Sequence, residues 1–128
     1  MQYADIEQSY VEGGMVTANA NQAGGFSAFV QNGSIADCYT TATVGGGSYT
    51  DVGGFAGHLY NGSIRNSYSS GTQNGDGSNR SAFLAACKHA GATVSDCIGW
   101  HSSLPFCASS AVGTITNGYA GTEGTISS

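Results

Sequence analysis

One interval organises this chain: the same residues return every 29 positions. Gly24-Gly25-Phe26 is matched by Gly53-Gly54-Phe55. Nine residues after each Phe stands an Ile, Ile35 and Ile64, and four after that a Tyr, Tyr39 and Tyr68. Both Phe-to-Ile intervals end in Asn-Gly-Ser, at 32–34 and 61–63. A period of this size marks units that bury their apolar faces only by stacking on one another. Ile6 and Tyr10 lie one period earlier. Downstream the pattern drifts. Ser81-Ala82-Phe83 takes the Gly-Gly-Phe place, Val94 and Ile98 follow after two extra residues, and Leu104-Pro105-Phe106 opens a shortened unit closed by Ile115 and Tyr119. Gly124-Thr125-Ile126 reads as one more opening.

Within a strand, positions i, i+2 and i+4 share a face. Ile64, Asn66 and Tyr68 are therefore expected to point one way, and Arg65 and Ser67 the other. Along the chain this predicts three inward columns: Phe26, Phe55, Phe83 and Phe106; Ile35, Ile64, Val94 and Ile115; Tyr39, Tyr68 and Tyr119. Gln8, Asp37, Asn66, Asp96 and Asn117 run beside them, and Cys38 and Cys97 fall on the opposite, small-residue face. The expected fold is all-β, a β-solenoid of about four to five coils with a ~29-residue repeat and irregular last coils. It fills a single domain over 1–128. An antiparallel sandwich is the competitor, since Asn-Gly pairs at 32–33, 61–62, 74–75 and 117–118 are hairpin signals. Hairpins alone do not explain a fixed offset.

Composition narrows the function classes. Lys and Arg total 3 against 8 Asp and Glu, which leaves no basic patch for nucleic acid. No apolar run is long enough to span a bilayer as a helix. Met1-Gln2-Tyr3-Ala4-Asp5-Ile6 has neither the basic nor the apolar region of a signal peptide. Four cysteines in a small, loop-rich chain favour an oxidising compartment. A mature or excised form of a secreted protein is the expectation.

Gly53-Gly54-Phe55-Ala56-Gly57, followed by Asn61-Gly62-Ser63-Ile64-Arg65-Asn66-Ser67-Tyr68-Ser69-Ser70-Gly71, resembles the GLUG repeat of bacterial secreted and cell-surface proteins, adhesin-like chains among them. The likeness is close over 53–71, good over 24–43 and weaker over 4–20 and 81–121. It implies a β-solenoid outside the cell, and it implies neither an enzyme nor a particular ligand.

Candidate sites are few. Cys38 and Cys97 share one slot two coils apart, ~10 Å and too far for a disulfide. Cys87–Cys107 is the preferred bridge, with Cys97 as an alternative partner for either. Cys87, His89, Cys97 and His101 do not follow a zinc spacing. Asp37 and Asp96 approach the separation of an inverting glycosidase pair, ~6.5–9.5 Å, yet are expected to face inward. Thr41/Thr43 and Ser70/Thr72 hint at an ice-binding row, but the slots drift.

The expected protein is thus non-enzymatic, structural or adhesive, bacterial, and secreted or displayed at the cell surface. It carries no cofactor and no metal. Its expected partners are copies of itself stacked head to tail, with glycans or a host surface as further candidates. Neither end shows a cap, so the expectation is that either Ile6 and Tyr10 stack on Ile115, Tyr119 and Ile126 of another copy, or the chain is a piece of a longer array or surface stalk. The alternatives are an ice- or glycan-binding solenoid and a β-helix acting on polysaccharides.

Overall fold

The computed structural model describes the chain except residues 1, 20, 48–49, 76–78, 102, 110–111, 123–124 and 128. It is all-β, a β-solenoid of about three turns. The first turn holds β1 (Asp5–Glu7), β2 (Tyr10–Val11), β3 (Met15–Ala18) and β4 (Asn21–Gly24). The second holds β5 (Ser27–Ala36), β6 (Tyr39–Thr40), β7 (Thr43–Gly46) and β8 (Thr50–Gly53). The third holds β9 (Ala56–Arg65), β10 (Tyr68–Ser69), β11 (Gln73–Gly75) and β12 (Arg80–Ser81). β13 (Leu84–Cys87), β14 (Ala92–Trp100), β15 (Thr114–Thr122) and β16 (Thr125–Ser127) follow.

Four to five coils is an overcount. Among the described residues two of the three sheets have three strands each, β3–β7–β11 and β4–β8–β12. Only the largest sheet continues past the third turn, through β13, β14 and β15. There the repeat contributes one face instead of a full coil.

The register is that of a solenoid. Ile6 pairs with Ile35, Ile35 with Ile64, Ile64 with Val94 and Val94 with Ile115, all in parallel. Among the described residues every strand pair is parallel except β15–β16, which is the pairing of a solenoid and not of an antiparallel sandwich. Ile35, Ile64 and Val94 are buried, and the Phe rings stack inside at 4.9, 4.7 and 4.9 Å from Phe26 through Phe55 and Phe83 to Phe106. Near-parallel rings at this spacing add to the area they bury. A smaller core of Ala23, Val44 and Val52 lies between the other two sheets.

The Gly-Gly-Phe motif marks where the chain folds sharply back between those cores. A Cβ on Gly53 would lie 1.8 Å from the Ala56 carbonyl oxygen, and one on Gly54 2.1 Å from that of Ala82. In the next coil Ala82 occupies the second Gly place, and the facing residue is Gly99, whose own Cβ would come within 2.7 Å of the Ala82 methyl. In the second coil the pairing is reversed: Gly25 faces Thr40, with 3.0 Å from a built Cβ to Thr40 Oγ1. The side-chain volume has changed sides.

Two expectations about direction and one about the end require correction. Gln8, Asp37, Asn66, Asp96 and Asn117 all have left-handed backbones, φ 48–56°. A left-handed residue interrupts the alternation, and Asn and Asp tolerate it best among non-glycine residues. The strand ends just before Gln8, Asp37 and Asn66, while β14 and β15 run on through Asp96 and Asn117; in every case the residue after the left-handed one turns inward. The tyrosine column therefore lies outside: Tyr10 is 63% exposed, Tyr68 39%, and Tyr39 and Tyr119 are half-buried. Cys38, Ser67 and Cys97 lie inside instead. Finally, the tail does not open another coil. β16 returns antiparallel on β15, pairing Gly121 with Ile126, and so covers that stretch of the last rung.

Candidate functional site

The left-handed corner presents two parallel ladders to solvent. In the outer one, Tyr10, Tyr39 and Tyr68 stack at 5.2 and 5.0 Å with rings 7° and 3° from parallel. Tyr39 Oη donates to Glu12 Oε1 at 2.5 Å. That bond to a carboxylate, with burial and the charge of Glu12, pushes the phenol up to about 12. Beside it the corner residues hold one another. Asn66 Nδ2 donates to Asp37 Oδ1 at 3.2 Å, and Asn117 Nδ2 to Asp96 Oδ1 at 2.9 Å. Asp37 and Asp96 are thus exposed and committed to amide partners, with Asn66 on the rung between them.

The tyrosine ladder is broken once. Ile98 pairs in register with Tyr68 on one side and Tyr119 on the other. An open depression of about 340 Å³ lies there, lined by Asp96, Ile98, Asn117 and Tyr119.

A different polar cluster ties the coils together. His58 Nε2 lies 2.5 Å from Asp51 Oδ2, and the Gln22 amide lies 3.2 Å from His58 Nδ1. The ring bridges Asp51 and Gln22 through its two nitrogens. Asn79 Nδ2 donates to the other Asp51 oxygen at 2.7 Å. Burial pushes the Asp51 carboxyl up, but the Asn79 and His58 hydrogen bonds and the charges of His58 and Lys88 outweigh it and hold it below its usual value. With both nitrogens engaged, His58 acts as a clamp between coils. Tyr60 and the His89 ring meet at 5.2 Å beside it.

The cysteines do not form the expected bridge; all four are free thiols. Cys38 and Cys97 share the inward slot with Ser67 between them. Each donates to the carbonyl two residues back, Cys38 Sγ to Ala36 at 3.0 Å and Cys97 Sγ to Ser95 at 3.1 Å, as Ser67 Oγ does to Arg65 at 2.8 Å. Cys107 pairs opposite Leu84, three residues before Cys87, and its sulfur sits near the Cys87 backbone. The Cys87 side chain joins the core beside Leu59. Burial pushes the Cys97 thiol up to about 12 and Cys107 to about 11, and raises Cys87. These groups stay protonated, and the thiolate is the reactive form.

The four residues screened for zinc are dispersed. Cys97 is in the inward slot and His89 is on Tyr60. His101 Nδ1 accepts from the backbone N–H groups of Ser103 and Leu104 at 3.1 and 3.2 Å. Among the described residues no three metal-binding side chains converge.

Residues 48–74, which carry the Gly-Gly-Phe turn, the third Ile rung and the Tyr68 step, match the model of the GLUG motif. The chain is a β-solenoid that carries a GLUG motif, chiefly in its third turn. No curated protein and no solved structure matches it significantly. Within this solenoid the motif's parts have separate tasks. Gly-Gly makes the close approach, Phe and Ile fill the core, and Asn turns the corner that sends Tyr outward.

Proposed function

We propose that this GLUG-motif solenoid is an extracellular, non-catalytic structural or adhesive element that assembles with copies of itself through the open side of its first coil. The observation that carries the reading is the asymmetry of the two ends of the stack. On the first coil, β1 to β4 have a hydrogen-bonded neighbour on one side only. Tyr3, Tyr10 and Met15 are exposed there at 78%, 63% and 72%. An edge of unpaired strands with large apolar side chains is a template for further strands. The last rung is partly covered, because β16 lies over Ala120–Thr122. Contact with the far end of another copy is therefore confined to the stretch around Ile115 and Tyr119, and Ile126 belongs to the covering strand.

Sedimentation and electron microscopy over a concentration series test this reading. Assembly that deepens with concentration and is lost in Tyr10→Glu is the expected result. In filaments, the subunit rise should be on the order of 20–25 Å, five rungs. A wild-type chain that stays monomeric at the highest attainable concentration sinks the proposal.

A further inference from the structure

The broken tyrosine ladder carries a binding site. Three rings stack in succession from Tyr10 to Tyr68, and Ile98 then occupies the next step before Tyr119 resumes the column. Tyr68 and Tyr119 lie two rungs apart, roughly 10 Å. Subtracting half a ring thickness on each side leaves about 6–7 Å between the aromatic faces. The floor of that gap is Ile98, half-buried and apolar. On the second face of Tyr68 no ring is stacked among the described residues. The tyrosine column lacks one ring here, and an open depression of about 340 Å³, lined by Asp96, Ile98, Asn117 and Tyr119, lies on the Tyr119 side of that step.

The edge of the slot is polar. Asn117 Nδ2 donates to Asp96 Oδ1, which fixes the two side chains against each other at 2.9 Å. Asp96 Oδ2 and the Asn117 carbonyl oxygen are left as neighbouring acceptors beside the gap. Adjacent acceptors suit a pair of hydroxyl donors, and a bond to a carboxylate is stronger than one between neutral groups. The carboxylate and the net charge of −5 disfavour an anion.

We propose that the slot formed by Tyr68, Ile98 and Tyr119, with Asp96 and Asn117 at its rim, binds a neutral pyranose ring of a glycan. The sugar's C–H faces lie between the two phenol rings, and two of its hydroxyls donate to Asp96 and Asn117. A quaternary ammonium group would also favour two aromatic faces and a carboxylate. It has no use for the second acceptor that Asn117 supplies, and this favours the sugar. The site uses the face of Tyr119 that looks toward Ile98, whereas another copy stacked on the last rung meets the opposite face of that ring.

Nuclear magnetic resonance titration of the intact chain tests the proposal, reading the Ile98 methyl and Asn117 side-chain amide signals. The probes are maltohexaose, cellohexaose, mannohexaose and chitohexaose, with choline chloride as the rival. The expected result is a saturable shift of both signals with at least one of these oligosaccharides. Ile98→Tyr supplies the missing ring, so it should weaken that sugar at least about tenfold without lowering the melting temperature. Asp96→Asn keeps the residue type that Asn66 already supports at this corner, and should weaken binding about threefold or more. Sedimentation of both variants should match the wild type, which separates failure here from failure of the assembly reading. The proposal is overturned if none of the four sugars gives a saturable shift. It is equally overturned if Ile98→Tyr binds with full affinity, or if choline alone saturates the site.

Discussion

The coils between Gly24 and Gly71 and those between Arg80 and Gly121 build the same columns by different means. In the first stretch each Phe is 29 residues from the next and the Gly-Gly step is intact. In the second, Phe83 and Phe106 are separated by only 23 residues, yet their rings stack at 4.9 Å, like Phe26 and Phe55. The two extra residues before Val94 fall in the 88–91 turn between β13 and β14, and the Ile rung is not displaced. The fold therefore conserves rung register and lets segment length vary. Length changes are cheap in connections and costly inside ladders, because a slip of one residue in a strand sends every side chain to the other face.

The largest effect that would break this comparison comes from charging its shared column. Ile64→Asp places a carboxylate at a fully buried rung with neighbours on both sides, and should cost about 4 kcal/mol or more and unfold the chain. Ile115→Asp, on a half-buried rung at the end of the column, should cost less than half of that. Circular dichroism and urea melts compare them. Equal losses would mean that the late rungs are as enclosed as the regular ones.

An intermediate effect tests the exchange of volume. Gly99→Ser should cost about 2–3 kcal/mol, since its Cβ would meet the Ala82 carbonyl carbon at 2.6 Å and its methyl at 2.7 Å. Adding Ala82→Gly removes the methyl but leaves the Ala82 carbonyl contacts, and should recover part of the loss. A double variant as unstable as the sum of its parts would show that the two positions do not share the space.

The smallest effect concerns the Asp51–His58 clamp, which the later rung lacks because Ala86 stands opposite His58. The folded Asp51 carboxyl lies below its ordinary value. Its contribution is therefore complete above the unfolded pKa of about 3.9 and is lost as pH falls through the lower folded value. Because the pair is partly solvated, about 1 kcal/mol or less is at stake. Asp51→Asn should flatten the acid limb of the melting temperature below about pH 4, and at pH 7 should remove the whole contribution of about 1 kcal/mol or less. An unchanged acid limb would remove Asp51 from the account.

The residues that could be read in advance are those whose identity repeats. Ile35, Ile64 and Val94, and the four Phe rings, announce both their column and their place in the core, because an apolar side chain at a fixed period has little else to do. The outward tyrosines could not be read by alternation, since one left-handed residue reverses the parity of all that follows. The signal was nonetheless present: Asp37, Asn66, Asp96 and Asn117 hold one slot, and Asp and Asn are the side chains that accept that backbone. The slot at Ile98 was visible only as an imperfection of the repeat, a missing Tyr, until the outward direction of its column was known. The β16 return was hidden by Gly124-Thr125-Ile126, which imitates the start of a unit.

The exchange of volume between Ala82 and Gly99 also sets an order on how such a chain can change through single substitutions. Starting from the regular pattern, a Gly such as Gly25 can become Ala only if the backbone of the next coil draws back from its Cβ, 2.5 Å from the Gly54 carbonyl oxygen, and the facing Thr40, at 3.0 Å, gives up volume. The facing residue must shrink first, passing through a Gly-Gly state that leaves a small void. Filling a void is permitted, whereas overlapping two atoms is not, so the path runs in one direction around the pair. Duplicated coils that begin alike are therefore expected to diverge by deletion of volume followed by its return on the opposite wall. Related chains should show Gly/Thr, Gly/Ser, Gly/Gly and Ala/Gly at this crossing, with Ala facing Ser or Thr missing from the set.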